Sequence, residues 1–233
     1  MCHSGCIAFA ASRLSAAEVS GSEVLEVGSR DVNGSVRSVV EALGPASYLG
    51  VDIEEGPGVD VICDATNLVS RFGRERFDVV ISTELLEHVR EWRSVIGGMK
   101  SVLRPGGVLL ITTRSRGFGV HGFPYDYWRY EPEDMRRIFA DFELETVESD
   151  QLRPGVFVKA RKPELHQATD LDDIALYSII RRERVHDVSE GEALAFKPPF
   201  SLMAFVWGLM PPRVQSEGIR PLLRRLLRTR RSS

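Results

Sequence analysis

The sequence lacks the features that define several protein classes. Only three cysteines occur in 233 residues, Cys2, Cys6 and Cys63, too few for a disulfide framework. No apolar run reaches the roughly 20 residues that a membrane-spanning helix requires. No basic segment followed by a long apolar run stands at the N-terminus. We therefore expect a cytoplasmic protein with reduced thiols.

A metal site is not predicted either. Cys2, His3 and Cys6 offer thiolate and imidazole ligands close together in the sequence. A zinc site needs a fourth ligand, however, and no second pair of Cys or His follows at zinc-finger spacing. We therefore assign these residues to a leading helix within residues 1–18.

Composition and charge fit one α/β domain with an appendage. The 233 residues are 43% hydrophobic and 27% charged, which is enough for a single core. The formal net charge of −3 hides an asymmetry, because residues 211–233 contain seven arginines and one acidic residue, Glu217. We divide the chain into an N-terminal helical segment (1–19), a core domain (20–163) and a C-terminal extension (164–233).

Residues 22–36, SEVLEVGSRDVNGSV, predict a strand, a loop and a helix. Such a turn lets backbone N–H groups and a strand-end carboxylate face one ligand at the carboxyl edge of a parallel sheet. Arg30 stands where a dinucleotide-binding loop has its second glycine. A nucleotide cofactor without a diphosphate therefore fits the loop better.

Four further strands are predicted at residues 48–51, 59–63, 77–81 and 108–111, the last preceded by a turn at 104–107. The second and third strands end in carboxylates, Asp52 and Asp64. Asp52 is placed to accept hydrogen bonds from ribose hydroxyls. Asp64 fits either a ligand contact or a helix cap, and we favour the ligand contact. The alternation of strands and helices predicts a doubly wound, mostly parallel sheet.

The order of VLEVGSRDVNG, YLGVDI, DVICDATNL, FDVVISTELLEHV and LRPGGVLLITT resembles the class I S-adenosylmethionine-dependent methyltransferases, and within them the type 11 group. The resemblance covers roughly residues 20–162. It implies a seven-stranded, Rossmann-like α/β sheet closed by antiparallel strands at 142–148 and 155–161, with S-adenosylmethionine as cofactor. The sequence departs from the family in the loop, where Arg30 and Val32 stand at positions that are usually glycine in the family.

The resemblance also implies which residues hold the cofactor. In this sequence they are Glu26, Gly28, Ser29, Gly34, Asp52, Ile53, Asp64, Ala65, Ser82, Thr83 and Glu84. Gly28 is the firmest candidate in the loop, and Ser82 to Glu84 would face the acceptor.

Residues 113–130 make too long a connection for a simple turn, and we predict that they cover the acceptor. Aromatic and titratable side chains there can stack on a ring and orient its hydroxyls. We predict catalytic roles for His121, Tyr125 and Asp126, with His121 as an exposed base of pKa near 7. Trp128 fits packing onto the sheet equally well. His88 is expected to be an ordinary i,i+4 partner of Glu84.

The C-terminal extension has three parts. Residues 170–185 predict a helix that docks on the core through Ile174, Leu176, Tyr177 and Ile180. An apolar segment, 200–210, precedes the arginine-rich GIRPLLRRLLRTRRSS. That terminus fits either an interfacial membrane helix or a solvated tail. Nucleic-acid binding is disfavoured, because basic and aromatic residues are not interleaved there.

The expected function is methyl transfer from S-adenosylmethionine to a small-molecule or glycan-like acceptor, with oxygen favoured as the acceptor atom. A nicotinamide-dependent oxidoreductase and a non-catalytic cofactor-binding subunit remain alternatives.

Overall fold

The structure is a computed structural model that describes residues 3–122 and 125–196. The strands are β1 (Glu23–Val27), β2 (Ser47–Asp52), β3 (Val61–Ile62), β4 (Phe77–Thr83), β5 (Leu103–Arg114), β6 (Trp128–Arg129), β7 (Glu143–Ser149), β8 (Gly155–Arg161), β9 (Leu176–Ser178) and β10 (Arg184–Val185). The helices are α1 (Ser4–Arg13), α2 (Ala16–Val19), α3 (Arg37–Glu41), α4 (Leu68–Phe72), α5 (Trp92–Val102), α6 (Pro132–Ile138) and α7 (Glu190–Ala195).

Seven strands form one sheet in the order β3-β2-β1-β4-β5-β8-β7. The first five are parallel to one another, and β8 runs antiparallel to both β5 and β7. The predicted doubly wound, Rossmann-like sheet with an antiparallel closing pair is therefore confirmed. The strand order reverses between β1 and β4, so the carboxyl ends of these strands border a crevice, where α/β sheets bind ligands.

The central strands are apolar because helices cover both faces of the sheet. Val79, Val80 and Ile81 of β4 are all fully buried. Val80 belongs to the core on the α4 and α5 side, whereas Val79 and Ile81 belong to the core on the α1 and α3 side. On that second side the Phe9 ring of α1 packs 4.9 Å from the ring of Phe157 in β8.

The strand ends differ slightly from the predictions. The predicted third strand, 59–63, shortens to Val61–Ile62; just before it, the Asp60 carboxylate accepts a hydrogen bond from the N–H of Gly50 at 2.7 Å, in place of a backbone carbonyl. Ser82 and Thr83 continue β4 rather than follow it.

The leading segment contains two helices rather than one. Leu14 has extended backbone angles and ends α1, and Ser15 then begins α2 with a capping box to Glu18. His3 caps α1, since its Nδ1 accepts a hydrogen bond from the N–H of Gly5 at 3.1 Å. Cys6 is buried, and Cys2 lies outside the described residues.

The predicted helix at residues 170–185 is wrong. The segment instead forms a hairpin of β9 and β10, and β9 pairs antiparallel with β6. Two local features oppose a helix. The Asp170 carboxylate accepts a hydrogen bond from the N–H of Asp172 at 2.9 Å, a local turn that competes with helix formation, and Arg182 has a positive φ of 60°. The predicted docking residues Ile174 and Leu176 are nevertheless buried in the core.

Met1–Leu194 form one compact unit, so this unit extends past the predicted boundary at residue 163. Ala195–Ser233 form a second unit. The apolar segment 200–210 and the arginine-rich terminus lie outside the described residues. Within residues 3–122 and 125–196, no helix is long and apolar enough to cross a membrane.

Candidate active site

A cavity of about 690 Å³ opens at the carboxyl edge of the sheet. Its walls come from the ends of β1 and β2, the turn after β3, the segment after β4, part of the 113–130 connection, and α7. The lining residues are Val27, Gly28, Arg30, Val32, Val51, Asp52, Ile53, Glu54, Cys63, Asp64, Ala65, Thr66, Glu84, Leu85, His88, Val89, Arg90, Glu91, Gly122, Tyr125, Tyr127, Glu190, Ala193 and Leu194.

Gly28 brings the loop after β1 close to the segment after β4. Its φ is +80°, and a Cβ atom there would lie 3.0 Å from the Cβ of Leu85. The N–H groups of Gly28 and Ser29 both donate to the carbonyl of Val51, at 2.8 and 3.0 Å. The loop is thus fixed across the ends of β1 and β2, and only glycine leaves the space beside Leu85 open.

Asp52 and Ile53 place a polar and an apolar side chain next to each other at the end of β2. The two carboxylate oxygens of Asp52 accept hydrogen bonds from the N–H groups of Arg30 (3.3 Å) and Glu54 (3.2 Å). The Ile53 side chain is 66% exposed and lines the same cavity. A carboxylate beside an exposed aliphatic side chain fits a nucleoside, with ribose hydroxyls on the acid and a base against the aliphatic group.

Asp64 lines the cavity and also caps a helical turn. Its Oδ1 accepts hydrogen bonds from the N–H of Thr66 at 2.8 Å and from the Thr66 hydroxyl at 2.7 Å, which starts the 3₁₀ turn Ala65–Asn67. The capping alternative is therefore present in the structure. Because Asp64 and Ala65 both line the cavity, a ligand contact at this position stays a prediction.

Five predicted cofactor residues lie outside the cavity lining, and their roles stay predictions. They are Glu26, Ser29, Gly34, Ser82 and Thr83. Glu26 is buried in β1 and accepts a hydrogen bond from the Tyr48 hydroxyl at 2.7 Å. Burial raises the pKa of Glu26 to about 7. Gly34 has its N–H bound to Asp31 at 2.8 Å.

Glu84 holds a strained position immediately after β4. Its φ is +55°, and its N–H donates to the carbonyl of Thr112 at 2.8 Å. The buried carboxyl accepts a hydrogen bond from the Thr112 hydroxyl at 3.1 Å and contacts the Arg114 guanidinium. Burial, with the charge of Glu87 adding to it, raises the pKa of Glu84 to about 9. Backbone strain and a shifted pKa at a cavity wall are typical of functional positions.

The 3₁₀ turn Leu86–His88 directs two titratable side chains towards His121. Glu87 is 0% exposed, and its Oε2 accepts a hydrogen bond from the Thr113 hydroxyl at 2.7 Å. Its Oε1 lies 3.6 Å from Nε2 of His121 and 3.9 Å from Nε2 of His88. Burial opposes ionisation of Glu87, but the neighbouring imidazoles and the Thr113 hydroxyl hold its pKa below the usual range. A buried carboxylate anion therefore faces two imidazoles.

The expectation that His121 is an exposed base with a pKa near 7 is wrong. The ring is largely buried between two carboxylates, with Nδ1 at 3.4 Å from Oδ2 of Asp126 and Nε2 near Glu87. Burial alone would lower its pKa, but Asp126 and Glu87 outweigh burial and raise the pKa to about 9. The ring therefore carries a proton at neutral pH, and a catalytic role for His121 stays a prediction.

The expectation that His88 is an i,i+4 partner of Glu84 is also wrong. The left-handed backbone of Glu84 interrupts any helix, so the two side chains do not share a helical face. Nδ1 of His88 instead lies 2.6 Å from the carbonyl oxygen of Tyr125. Its ring contacts that of His121 edge-on, with the centroids 4.6 Å apart. The His88 side chain lines the cavity.

The aromatic segment after His121 divides between the cavity and the core. Tyr125 is 62% exposed and lines the cavity. Trp128 is fully buried and donates from Nε1 to the carbonyl of Val89 at 3.1 Å, which is the packing role. Asp126 is buried and ion-paired with Arg129 at 2.6 and 2.9 Å, and it lies outside the cavity lining. Its predicted catalytic role stays a prediction.

Glu87 and the apolar wall of the cavity were not predicted from the sequence. A signal for Glu87 was available in the E-x-x-E-H pattern directly after β4, which places two carboxylates and an imidazole at a strand end. The apolar wall, formed by Leu85, Val89, Tyr127 and Leu194, had no such signal, because it assembles from distant segments.

A family model described as a methyltransferase domain matches residues 7–154, more than half of the chain. The chain belongs to the methyltransferase domain family. The methyltransferase domain is S-adenosylmethionine-dependent, as the resemblance implied, and the nicotinamide-dependent alternative is removed. The residues at the cavity fit this cofactor, since Asp52 and Ile53 suit its nucleoside and Gly28 keeps the adjoining wall open.

Several curated enzymes resemble the methyltransferase domain. The ubiquinone biosynthesis O-methyltransferase of Pseudomonas syringae pv. tomato is 33% identical over 128 residues, covering 47% of this chain and 53% of that enzyme. The enzyme of the same name from Parvibaculum lavamentivorans is 36% identical over 70 residues, covering 30% and 27%. Phthiotriol/phenolphthiotriol dimycocerosates methyltransferase 1 of Mycobacterium ulcerans is 36% identical over 107 residues, covering 41% and 38%. The matches therefore span about half or less of these relatives.

Solved structures share the fold. The 1,6-didemethyltoxoflavin-N1-methyltransferase of Burkholderia thailandensis, solved with 1,6-didemethyltoxoflavin and S-adenosylhomocysteine, has a TM-score of 0.52 at 20% identity, covering 68% of this chain and 78% of that one. The [4+2]-cyclase SpnF has a TM-score of 0.54 at 16% identity, covering 67% and 79%. At these identities the likeness shows the fold alone.

Proposed function

We propose that the methyltransferase domain methylates a hydroxyl oxygen of a small-molecule acceptor that binds in the cavity beside the cofactor. The observation that carries this proposal is the continuity of the cavity. One space reaches from Asp52 at the end of β2 to His88 and Tyr125 on the opposite side.

The acceptor side of the cavity suits a ring that bears a hydroxyl. Leu85, Val89, Tyr125 and Tyr127 offer apolar and aromatic surface. His88 stands on the same wall with Nδ1 fixed by the Tyr125 carbonyl at 2.6 Å, so its Nε2 is directed away from that contact. An apolar wall with a few fixed polar groups orients a flat substrate while excluding water.

S-adenosylmethionine, when bound, supplies an electrophilic methyl group on a sulfonium. The cofactor would give up this methyl group to the acceptor oxygen and leave as S-adenosylhomocysteine, and the Glu87–His88 pair would take the hydroxyl proton. His121 is protonated near neutral pH and therefore holds the Glu87 carboxylate in place instead of removing the proton. Orientation is the main contribution of this chain to the rate.

Relatives support the acceptor class. Two of the curated relatives are named ubiquinone biosynthesis O-methyltransferases, and a third is named phthiotriol/phenolphthiotriol dimycocerosates methyltransferase 1. Because the matched segments cover about half or less of those enzymes, we take from them only the acceptor class, a small molecule or lipid with a hydroxyl. A glycan-like acceptor stays an alternative, since Arg90, Glu91 and Glu190 also line the cavity and can form hydrogen bonds with sugar hydroxyls.

Asp52→Ala tests the cofactor side. We expect it to weaken S-adenosylhomocysteine binding by about 1–3 kcal/mol, because the ribose hydroxyls lose a charged acceptor. Calorimetry measures the affinity, and NAD should not bind to the wild-type protein. Asp173→Ala, a surface change outside the cavity lining, is the matched control and should bind as the wild type does. Equal affinity in the two variants would remove Asp52 from the site.

The acceptor atom is tested with a panel of phenols, catechols and ring-nitrogen heterocycles and with methyl-labelled cofactor. We expect label on an oxygen of a phenolic or catecholic compound, located by mass spectrometry and NMR. Label on nitrogen or carbon alone would refute O-methylation. Cofactor binding without methyl transfer to any compound in the panel would favour a non-catalytic cofactor-binding subunit.

A further inference from the structure

Three donor atoms converge where the 3₁₀ turn Leu86–His88 meets the 113–130 connection. The carboxylate of Glu87 and the imidazoles of His88 and His121 each offer one donor atom, and these atoms all lie within 4.8 Å of one another. Oε1 of Glu87 is 3.6 Å from Nε2 of His121 and 3.9 Å from Nε2 of His88. Bonds of about 2.0–2.2 Å to a cation would bring such atoms about 3–4 Å apart. Small side-chain rotations are therefore enough to close the group on an ion, and the proton on Nε2 of His121 leaves to solvent as this nitrogen binds the ion.

Each of the three side chains is held from behind through an atom that does not face the group. Nδ1 of His88 lies 2.6 Å from the Tyr125 carbonyl oxygen, and Oε2 of Glu87 accepts a hydrogen bond from the Thr113 hydroxyl at 2.7 Å. Nδ1 of His121 lies 3.4 Å from Asp126. Metal-binding histidines usually donate a hydrogen bond from their other ring nitrogen to a carbonyl or a carboxylate.

The group also contains a polar atom that the protein itself leaves without a hydrogen bond. In the part of the chain that the structure describes, Oε1 of Glu87 is buried and has no hydrogen-bond partner. Such an atom destabilises the folded state unless something binds it. Oε1 of Glu87 is also the atom that the two imidazoles face.

Gly122 allows this approach of the two histidines. Its φ is +65°, and a Cβ atom there would lie 2.7 Å from Cε1 of His88. Any larger residue would displace the His88 ring from this position. The backbone next to His121 is therefore shaped to keep the two imidazoles together.

We propose that Glu87, His88 and His121 bind one divalent transition-metal cation whose remaining coordination positions open into the cavity. Two imidazoles and one carboxylate with open positions suit Mn²⁺, Fe²⁺, Co²⁺ or Zn²⁺ better than the oxygen-preferring Ca²⁺ and Mg²⁺. His88 and Gly122 line the cavity, so the open side of the group faces the proposed acceptor position.

The cation would act on the acceptor hydroxyl. Coordination to a divalent cation lowers the pKa of a hydroxyl, so its proton leaves to solvent before the oxygen attacks the methyl carbon. In that case the Glu87–His88 pair binds the cation and no longer accepts the hydroxyl proton. This consequence rests on the proposed function, whereas binding of the cation does not.

The test is titration of the full chain with Mn²⁺ after removal of metals by a chelator, without cofactor or acceptor. Mn²⁺ is the chosen probe because it prefers nitrogen and oxygen donors to thiolates. Calorimetry and the electron paramagnetic resonance signal of free Mn²⁺ should both report one saturable site per chain. His88→Gln and His121→Gln should each weaken binding about tenfold or more. If His121→Gln fails to fold, His88→Gln on the cavity wall still decides the outcome.

Two control variants separate this site from other groups. His186→Gln should bind as the wild type does, because Nδ1 of His186 lies 3.0 Å from the carbonyl of Asp172, outside the cavity lining. Cys6→Ser should also bind normally, although His3, Cys6 and Glu84 form a second group of candidate ligands. Loss of binding in Cys6→Ser with normal binding in His88→Gln would overturn the proposal. Absence of saturable binding to the folded wild-type chain would do so as well. Failure of methyl transfer with intact Mn²⁺ binding would count against the proposed function alone.

Discussion

At the scale of single residues, Glu26 shows how burial makes stability depend on pH. Its carboxyl is 2% exposed and accepts a hydrogen bond from the Tyr48 hydroxyl at 2.7 Å. Burial raises its pKa from the ordinary 4.5 to about 7. Below both values the folded and unfolded chains carry the same proton. Between them the unfolded chain binds fewer protons, so the free energy of unfolding falls as pH rises and levels off above the folded pKa.

Glu26→Gln should remove this fall in the free energy of unfolding. We expect the free energy of unfolding to be close to that of the wild type near about pH 4.5 and about 1–3 kcal/mol higher near about pH 8, because the amide has no charge to bury. Denaturant titration at several pH values measures it. Glu143→Gln, at an exposed position in β7, is the control and should follow the wild type throughout. Parallel pH curves for Glu26→Gln and wild type would contradict the raised pKa.

At the scale of elements, α2 is attached to the sheet by ion pairs. Glu18 contacts Lys159 at 2.6 Å and Arg161 at 2.7 Å, both on β8. Burial alone would raise the pKa of Glu18, but the bonds from Lys159 and Ser15 outweigh it and lower the pKa from 4.5 to about 2. This stabilisation is complete above the unfolded value and is lost as pH falls through the folded value.

Glu18→Gln should therefore lower the free energy of unfolding by about 1–3 kcal/mol at neutral pH, with a difference that shrinks as pH falls from about 4.5 towards 2. Thermal and denaturant unfolding measure the change. The matched control is Glu148→Gln, whose partner Arg13 is equally accessible, with 39% and 41% of the two side chains exposed. That pair should contribute less than about 0.5 kcal/mol. Equal effects of the two substitutions would mean that burial does not strengthen the Glu18 pairs.

Elements whose pattern was set by their own residues were predictable from the sequence. The β4 strand, whose central residues Val79, Val80 and Ile81 are all fully buried, reads as a central strand from its apolar run alone. The hairpin of β9 and β10 could not be predicted in this way, because β9 forms by pairing with β6, some 50 residues earlier in the chain. Leu176 and Ile180 lie four residues apart and so fit a helix as well as a hairpin.

The same distinction holds for the site. The positions of Gly28 and Asp52 at the cavity could be predicted, since each lies at the end of a strand at an edge that the topology fixes. The environment of His121 could not, because its pKa depends on Asp126 and on Glu87, which lies more than 30 residues earlier. Residues near one another in sequence predicted the cofactor side of the cavity, whereas the acceptor side required the fold.

At the scale of the whole molecule, the cavity is built from parts that are far apart in the chain. Its walls include Gly28 after β1, Tyr125 in the 113–130 connection and Leu194 in α7. The family match ends at residue 154, so α7 contributes to the cavity from outside the matched segment. Residues of α7 therefore take part in shaping the cavity, and relatives that differ there need not bind the same molecules in it.

The residues after Phe196 carry a separate proposal from the sequence. In residues 220–228 four leucines recur at helical spacing among four arginines, nine residues after the apolar segment 200–210. We propose that this terminus binds anionic membrane surfaces and brings the methyltransferase domain to a lipid-soluble acceptor. Leucines on one face can enter the acyl boundary while guanidinium groups meet anionic head groups, and each basic residue near the surface contributes about 1 kcal/mol.

Co-sedimentation with anionic liposomes tests this proposal. The full chain should pellet at low salt and much less at high salt, because the attraction is screened. A chain shortened to end at Phe196 should stay in the supernatant at both salt concentrations. Replacing Arg224, Arg225 and Arg228 by Gln keeps the leucines and should abolish the salt-sensitive part alone. Neutral liposomes are the control for purely apolar binding. If the full and the shortened chains partition equally, the terminus has no part in membrane binding, and a lipid-soluble acceptor would have to reach the cavity from solution.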